Sequence, residues 1–211
     1  MSARPRPQQV VLALTGASGM PYGIRLLECL IRSGTRVWLI YSQVAQIVAR
    51  EEMDLKLPSQ PREAQRHFAE LYGAAEGQLA VFGRDDWYAP PASGSSPADA
   101  MVVCPCSMGT LASIAAGLAQ SLIERAADVA LKEGRRLVLV PRETPFSAIH
   151  LENMLRLHRA GAVILPANPG FYPRPQSVAD VVDFVVARIL DQIGVDNDLV
   201  ARWGAAAPER E

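Results

Sequence analysis

The sequence predicts an α/β protein built on one doubly wound parallel sheet. Three observations carry that expectation. Short apolar runs such as Leu137–Val140 lack polar alternation, the pattern of strands buried on both faces. Those runs alternate along the chain with longer segments of helical period, the order of βαβ units. Two of the runs end in Gly/Ser-rich turns, "TGASGMPYG" and "CPCSMGT", at the place where a parallel sheet holds its ligands. Together they describe a single-domain, Rossmann-like three-layer sandwich of the flavodoxin kind.

The elements follow in order. Residues 1–8, rich in Pro and Arg, read as a disordered tail, and residues 9–211 as one domain without linker or repeat. "VVLALTG" is a buried strand, and "MPYGIRLLECLIRSG" is a helix closed by Gly34, a residue suited to a helix end. "RVWLIYS" is the second strand and "QVAQIVAREEM" the second helix. Residues 54–78 hold a Pro-rich loop and a helical pattern around "REAQRHFAELYG". "LAVF" is a short third strand, and "GRDDWYAPPASGSSPAD" a long loop of the sort that often carries function. The strand "AMVVCP" precedes the helices "SMGTLASIAAG" and "SLIERAADVALKEG". The strand "RRLVLVP", the helix "FSAIHLENMLRLHRAG" and a last strand "AVILPA" come next. The loop "NPGFYPRP" then leads to the amphipathic helix "SVADVVDFVVARILDQIG", and "NDLVARWG" is expected to add a further turn or two.

Composition bounds the function. The 211 residues are 49% hydrophobic and 20% charged, which suits a globule with a full core. A formal net charge of −1 offers no global basic field for nucleic acid, so an anion site must be built locally. Cys29, Cys104 and Cys106 form an odd set without disulfide spacing, which reads as a reduced, cytoplasmic compartment. Cys104 and Cys106 resemble half a metal site with no matching pair, so no metal is expected. The start has no signal-peptide core, and no apolar run is long enough to span a membrane.

The first Gly-rich turn places backbone N–H groups where a phosphate can sit. It departs from G-x-G-x-x-G because Ser18 holds the second glycine position, and the second strand ends on Ser42 instead of an acid. Both features argue against NAD and leave room for a mononucleotide. Ser107, Gly109 and Thr110 stand in the second turn, as ligand groups or as plain helix caps. Arg142 and Glu143 end the run Leu137–Val140 at the ligand edge. Arg125, Asp128 and Lys132 share one helix face, the usual look of a solvated stripe. Arg188 falls between Val181 and Phe184 on the wheel of the last long helix, away from Asp180, Asp183 and Asp191, where it either meets an anion or snorkels to water. His67, His150 and His158 show no triad or metal spacing.

"GASGxxYG", "LIYSQVA", "CSMGTLASIA", "RAADVALKE", "VPRETPFS" and "FYPRPQS" resemble, in order, the UbiX-type flavin prenyltransferases of ubiquinone biosynthesis, over about residues 9–203. The resemblance implies transfer of a dimethylallyl group from dimethylallyl monophosphate to N5 and C6 of reduced FMN without metal. It also implies a homo-dodecamer, and delivery of prenylated FMN to a partner decarboxylase. Carried over by motif, Gly16, Ala17, Ser18, Ser42, Ser107, Met108, Gly109, Thr110 and Arg142 resemble FMN-binding positions. Lys132, Glu143, Tyr172 and Arg188 resemble the group around the donor phosphate, with Arg125 beside them on the substrate side. Glu52 resembles an acid/base carboxylate near the flavin, and Trp87 and Trp203 the aromatic walls of the prenyl pocket. Met20-Pro21 stands where the family often has Ala-Ile, and proline is tolerated in a first helical turn. The alternatives are an FMN-dependent oxidative decarboxylase of cysteine-type substrates and a non-enzymatic FMN-binding regulatory subunit. The first typically carries a Pro-x-Met-Asn segment, where this chain reads "PANPG".

Overall fold

The structure is a computed structural model, and it describes residues 6–95 and 97–202. Six parallel strands form one sheet in the order β3-β2-β1-β4-β5-β6. They are β1 (Gln9–Leu14), β2 (Arg36–Tyr41), β3 (Leu79–Phe82), β4 (Ala100–Cys106), β5 (Arg136–Pro141) and β6 (Val163–Ile164). Every residue of β1 and β4 is buried, which is why these strands read as unbroken apolar runs. The order reverses between β1 and β4, the switch point where such sheets hold ligands.

Helices cover both faces. On one face α1 (Met20–Arg32), α2 (Gln43–Met53), α3 (Pro61–Tyr72) and α7 (Val178–Ile193) pack on Val10, Leu12, Leu39 and Val102. On the other, α4 (Met108–Ala115), α5 (Leu122–Lys132) and α6 (Ala148–Arg159) pack on Val11, Ala13, Met101 and Leu139. Successive strand residues thus feed opposite cores, as the pleat requires. Gly23 lets α1 lie directly on β4, since a Cβ there would run into the Cys104 carbonyl. Arg25 ties α1 to α7 through a two-pronged ion pair with Asp183, at 2.7 and 3.2 Å.

Three sequence expectations change. The last strand was expected over 162–167, but only Val163–Ile164 pair as a strand. Pro166 has no N–H to donate, although Leu165 and Ala167 still donate to Leu139 and Pro141 of β5. The further helical turns expected after α7 are absent among the described residues, because Gly194 in the left-handed region (φ 78°) ends that helix. Within the expected tail, residues 1–5 lie outside the described residues, and the Gln8 N–H donates to Asp99 Oδ2 at 2.8 Å. No helix of the described residues is long and apolar enough to cross a membrane.

Candidate active site

Each βα connection of this fold leaves the carboxyl edge of the sheet, so that edge gathers the turns the motifs pointed to. Thr15, at the end of β1, joins two of them. Its hydroxyl donates to the Pro105 carbonyl at 2.8 Å and accepts the Ser107 N–H at 2.8 Å, while its own N–H donates to Pro105 at 3.2 Å. This side chain, 1% exposed, locks the Gly16–Ser18 turn against the turn that starts α4. Arg142 closes the third side. Its Nε donates to the Ser18 carbonyl at 3.2 Å, which joins the end of β5 to the first turn.

Between these turns lies a cavity of about 280 Å³, lined by Gly16, Ser42, Ser107, Gly109, Thr110 and Arg84 among others. Ser42 caps α2 by accepting the Ala45 N–H, and Ser107 caps α4 by accepting the Thr110 N–H. The capping and ligand readings of these serines are therefore compatible: the caps hold helix N-termini, with their uncancelled N–H groups, at the cavity wall. The side chains of Ala17 and Met108 are buried in the core, which leaves their backbones for any ligand. The N-terminus of α1 departs from the expectation. The Gly19 and Met20 N–H groups already donate to the Glu52 carboxylate, at 3.0 and 2.8 Å. An acid from the end of α2 thus takes the anion position at α1, and the open space lies on the Gly16 side of the turn.

The donor-phosphate candidates are not gathered in one chain. Tyr172, Arg188, Asp191, Asn197 and Arg202 line a second cavity of about 100 Å³, which shares no lining residue with the first. Tyr172 stands edge-on to Phe184 there, at 5.6 Å between ring centres. Arg188 does not sit buried in the apolar arc: its side chain is 55% exposed and pairs with Asp191 at 3.0 Å, one turn along the helix. The three-residue spacing that places the two on one face was present in the sequence. Arg202 joins the same carboxylate at 3.1 Å.

Lys132 is not beside Tyr172 or Arg188. It ends α5, whose cap Ser121 lines the first cavity, and eleven residues of helix carry it roughly 16 Å toward the opposite edge of the sheet. There it pairs with Glu133, whose carboxyl it holds below the usual range, and a Cβ at Gly94 of the long loop would run into both. Arg125 braces that loop too, donating to the Ala92 carbonyl at 3.0 Å and pairing with Asp128 at 2.7 Å. Glu143 is partly buried beside Arg142 and accepts the Thr144 N–H at 3.2 Å. Trp87 is half exposed on the long loop, and Trp203 lies outside the described residues.

Sequence reasoning missed Thr15, Arg84 and Arg202. Arg84 carried a signal, since it follows β3 at the ligand edge much as Arg142 follows β5. Among the described residues no cluster of three or more His, Cys, Asp or Glu side chains is placed to hold a metal ion.

Residues 2–190 match the Flavoprotein family. A curated relative, flavin prenyltransferase UbiX of Pseudomonas aeruginosa, is 60% identical over 198 residues, covering 94% of this chain and 95% of the relative. Among solved structures, AnUbiX (PadA1) in complex with FMN and dimethylallyl pyrophosphate superposes with a TM-score of 0.84 at 42% identity, over 96% of this chain and all of that one. A dodecameric FMN-dependent UbiX-like decarboxylase from Escherichia coli O157:H7 gives 0.82 at 42% identity, over 93% of this chain and all of that one.

Proposed function

This chain belongs to the UbiX flavin prenyltransferases within the flavoprotein family, and from that premise we propose that it transfers a dimethylallyl group to N5 and C6 of reduced FMN. The carrying observation is the cavity at the switch point, between two neutral Gly/Ser turns that Thr15 locks together, the first of them also held by Arg142 at the Ser18 carbonyl. That lining suits a mononucleotide: helix N-termini for its phosphate, hydroxyls for its ribityl chain, and no acid after β2 to grip a ribose. Bound there, reduced FMN supplies the nucleophilic atoms of the acceptor.

The chain's own residues bind, orient and handle charge. Ser42, Ser107 and Thr110 hold the flavin's polar tail, and Arg142 fixes the first turn against its ring. Phosphate leaves the donor as an anion, and Lys132, Arg188 and the Tyr172 hydroxyl stabilise it. Trp87 walls the allylic group from water. Glu143, beside Arg142, takes a proton released on ring closure, and Glu52 sits at the α1 turn as a second carboxylate. The donor is dimethylallyl monophosphate and no metal takes part. Lys132 and Arg125 reach the donor from a neighbouring copy, in a homo-dodecamer; within one chain Lys132 stands at the wrong edge of the sheet. The exposed Val44 and Ile47 on α2, and Ile149, Leu151 and Leu155 on α6, offer apolar surface for such packing. We place the product, prenylated FMN, with a partner decarboxylase that serves ubiquinone biosynthesis. The cysteine-type decarboxylase alternative would need the Pro-x-Met-Asn segment that Pro166–Gly170 lacks.

The handover has a direct test. Filtrate from a reaction of the protein with reduced FMN and dimethylallyl monophosphate, added to an apo-decarboxylase of the prenylated-flavin class, restores carbon dioxide release. Filtrate no better than FMN alone removes the partner assignment.

A further inference from the structure

The switch-point cavity is bounded by the capping serines of three helices, Ser42 of α2, Ser107 of α4 and Ser121 of α5. Among the described residues lining it, the one cation is Arg84 and the one anion is Glu124. The Arg84 backbone is fixed, because its carbonyl accepts the Leu122 N–H at 2.8 Å at the start of α5. Its side chain is held loosely. It is 53% exposed and pairs with Asp85, itself 77% exposed, at 3.8 Å, a tie that contributes little in water. Arg84 also borders a neighbouring cavity with Tyr41, Gln46 and Phe82, so the residue stands between two open spaces. Glu124 is engaged by the Gln120 N–H at 2.5 Å, and its charge opposes any anion that enters. A phosphate dianion placed among these three helix starts therefore meets favourable N–H groups, one opposing carboxylate and one exposed, weakly paired arginine within the same lining.

We propose that Arg84 binds the phosphate of FMN and selects FMN over flavins that lack it. The planar guanidinium fork pairs two phosphate oxygens and offsets Glu124. The inference rests on the FMN reading above and names a residue that reading did not use. Arg84 acts on flavin binding, and prenyl transfer itself is left to the residues at the donor.

The test titrates FMN and riboflavin into wild type, Arg84→Gln and Arg84→Lys at low and high salt. Arg84→Gln weakens FMN binding by about tenfold or more, the scale of a lost charge-assisted hydrogen bond, and leaves riboflavin binding unchanged. Its FMN affinity also falls less steeply with salt, and Arg84→Lys recovers part of the loss. FMN affinity within twofold of wild type in Arg84→Gln overturns the proposal, as does an equal loss for riboflavin, which assigns Arg84 to loop structure. Wild type that binds neither flavin overturns the FMN reading beneath it, an outcome separate from either of those.

Discussion

Thr15→Val probes the joint between the two turns with almost no change of shape. The hydroxyl donates to the Pro105 carbonyl and accepts the Ser107 N–H, each at 2.8 Å, at a residue 1% exposed. The valine removes both bonds. The Pro105 carbonyl keeps the Thr15 backbone N–H at 3.2 Å, but the Ser107 N–H loses this acceptor beside a buried side chain. A lost hydrogen bond of about 1 kcal/mol and the half-buried Ser107 donor left without its acceptor, at about 1–3 kcal/mol, together give about 2–4 kcal/mol. With a urea slope of about 2 kcal/mol/M, the unfolding midpoint falls by about 1–2 M, measured by circular dichroism at one fixed protomer concentration. Thr15→Ser keeps the hydroxyl, drops one methyl, and costs about 1 kcal/mol. FMN affinity falls in the valine variant as the turns part. A serine variant as unstable as the valine would assign the effect to the methyl group, and a valine variant within 0.5 kcal/mol of wild type would refute the hydrogen-bond argument altogether.

Three further outcomes follow from the geometry. Gly23→Ala pushes a Cβ into the Cys104 carbonyl and to 2.6 Å from Leu14 Cδ2, so thermal or urea unfolding registers a loss of about 1–3 kcal/mol; an unchanged midpoint would mean that α1 shifts freely on β4. Burial pushes the Cys29 thiol from 9.0 up to about 11 and the Cys106 thiol up to about 12, so their contribution to stability is complete below pH 9 and declines as pH rises through those values; urea midpoints constant from pH 8 to 11 would contradict this. Arg188→Ala keeps FMN affinity and raises the prenyl-transfer barrier by roughly 2–4 kcal/mol, read as the single-turnover rate, and a wild-type rate would leave Arg188 solely as the partner of Asp191.

Local chemistry made most of the fold legible. The strands of the two cores are apolar runs because both faces are covered, and the ends of α1 and α7 fall where Gly34 and Gly194 release the chain. What was hidden is long-range. Thr15 reads as an ordinary strand-end residue until β4 is known to lie beside β1, ninety positions away in its bond to Pro105. Asp191 looked like a solvated aspartate, yet it collects Arg188, Asn197 and Arg202, and the segment expected to add helical turns is held there without helix. Of the motif residues, Gly16, Ser42, Ser107 and Thr110 line one cavity at the carboxyl edge. Lys132 already read as lying near the end of its helix, and the eleven residues from Ser121 carry it away from the edge where the motifs would gather it. Motifs record which residues a reaction uses; helix length and direction decide whether one chain can bring them together.

The mass of the flavin reports directly whether the prenyl group is transferred. The protein is incubated anaerobically with reduced FMN and dimethylallyl monophosphate, in parallel with dimethylallyl pyrophosphate and with EDTA present, and the released flavin is weighed by mass spectrometry. A flavin heavier by one C5H8 unit is the expected product with the monophosphate, formed as fast with EDTA as without it. FMN recovered at its original mass with both donors would contradict the assignment as a flavin prenyltransferase, and a product that EDTA abolishes would contradict the metal-free reaction.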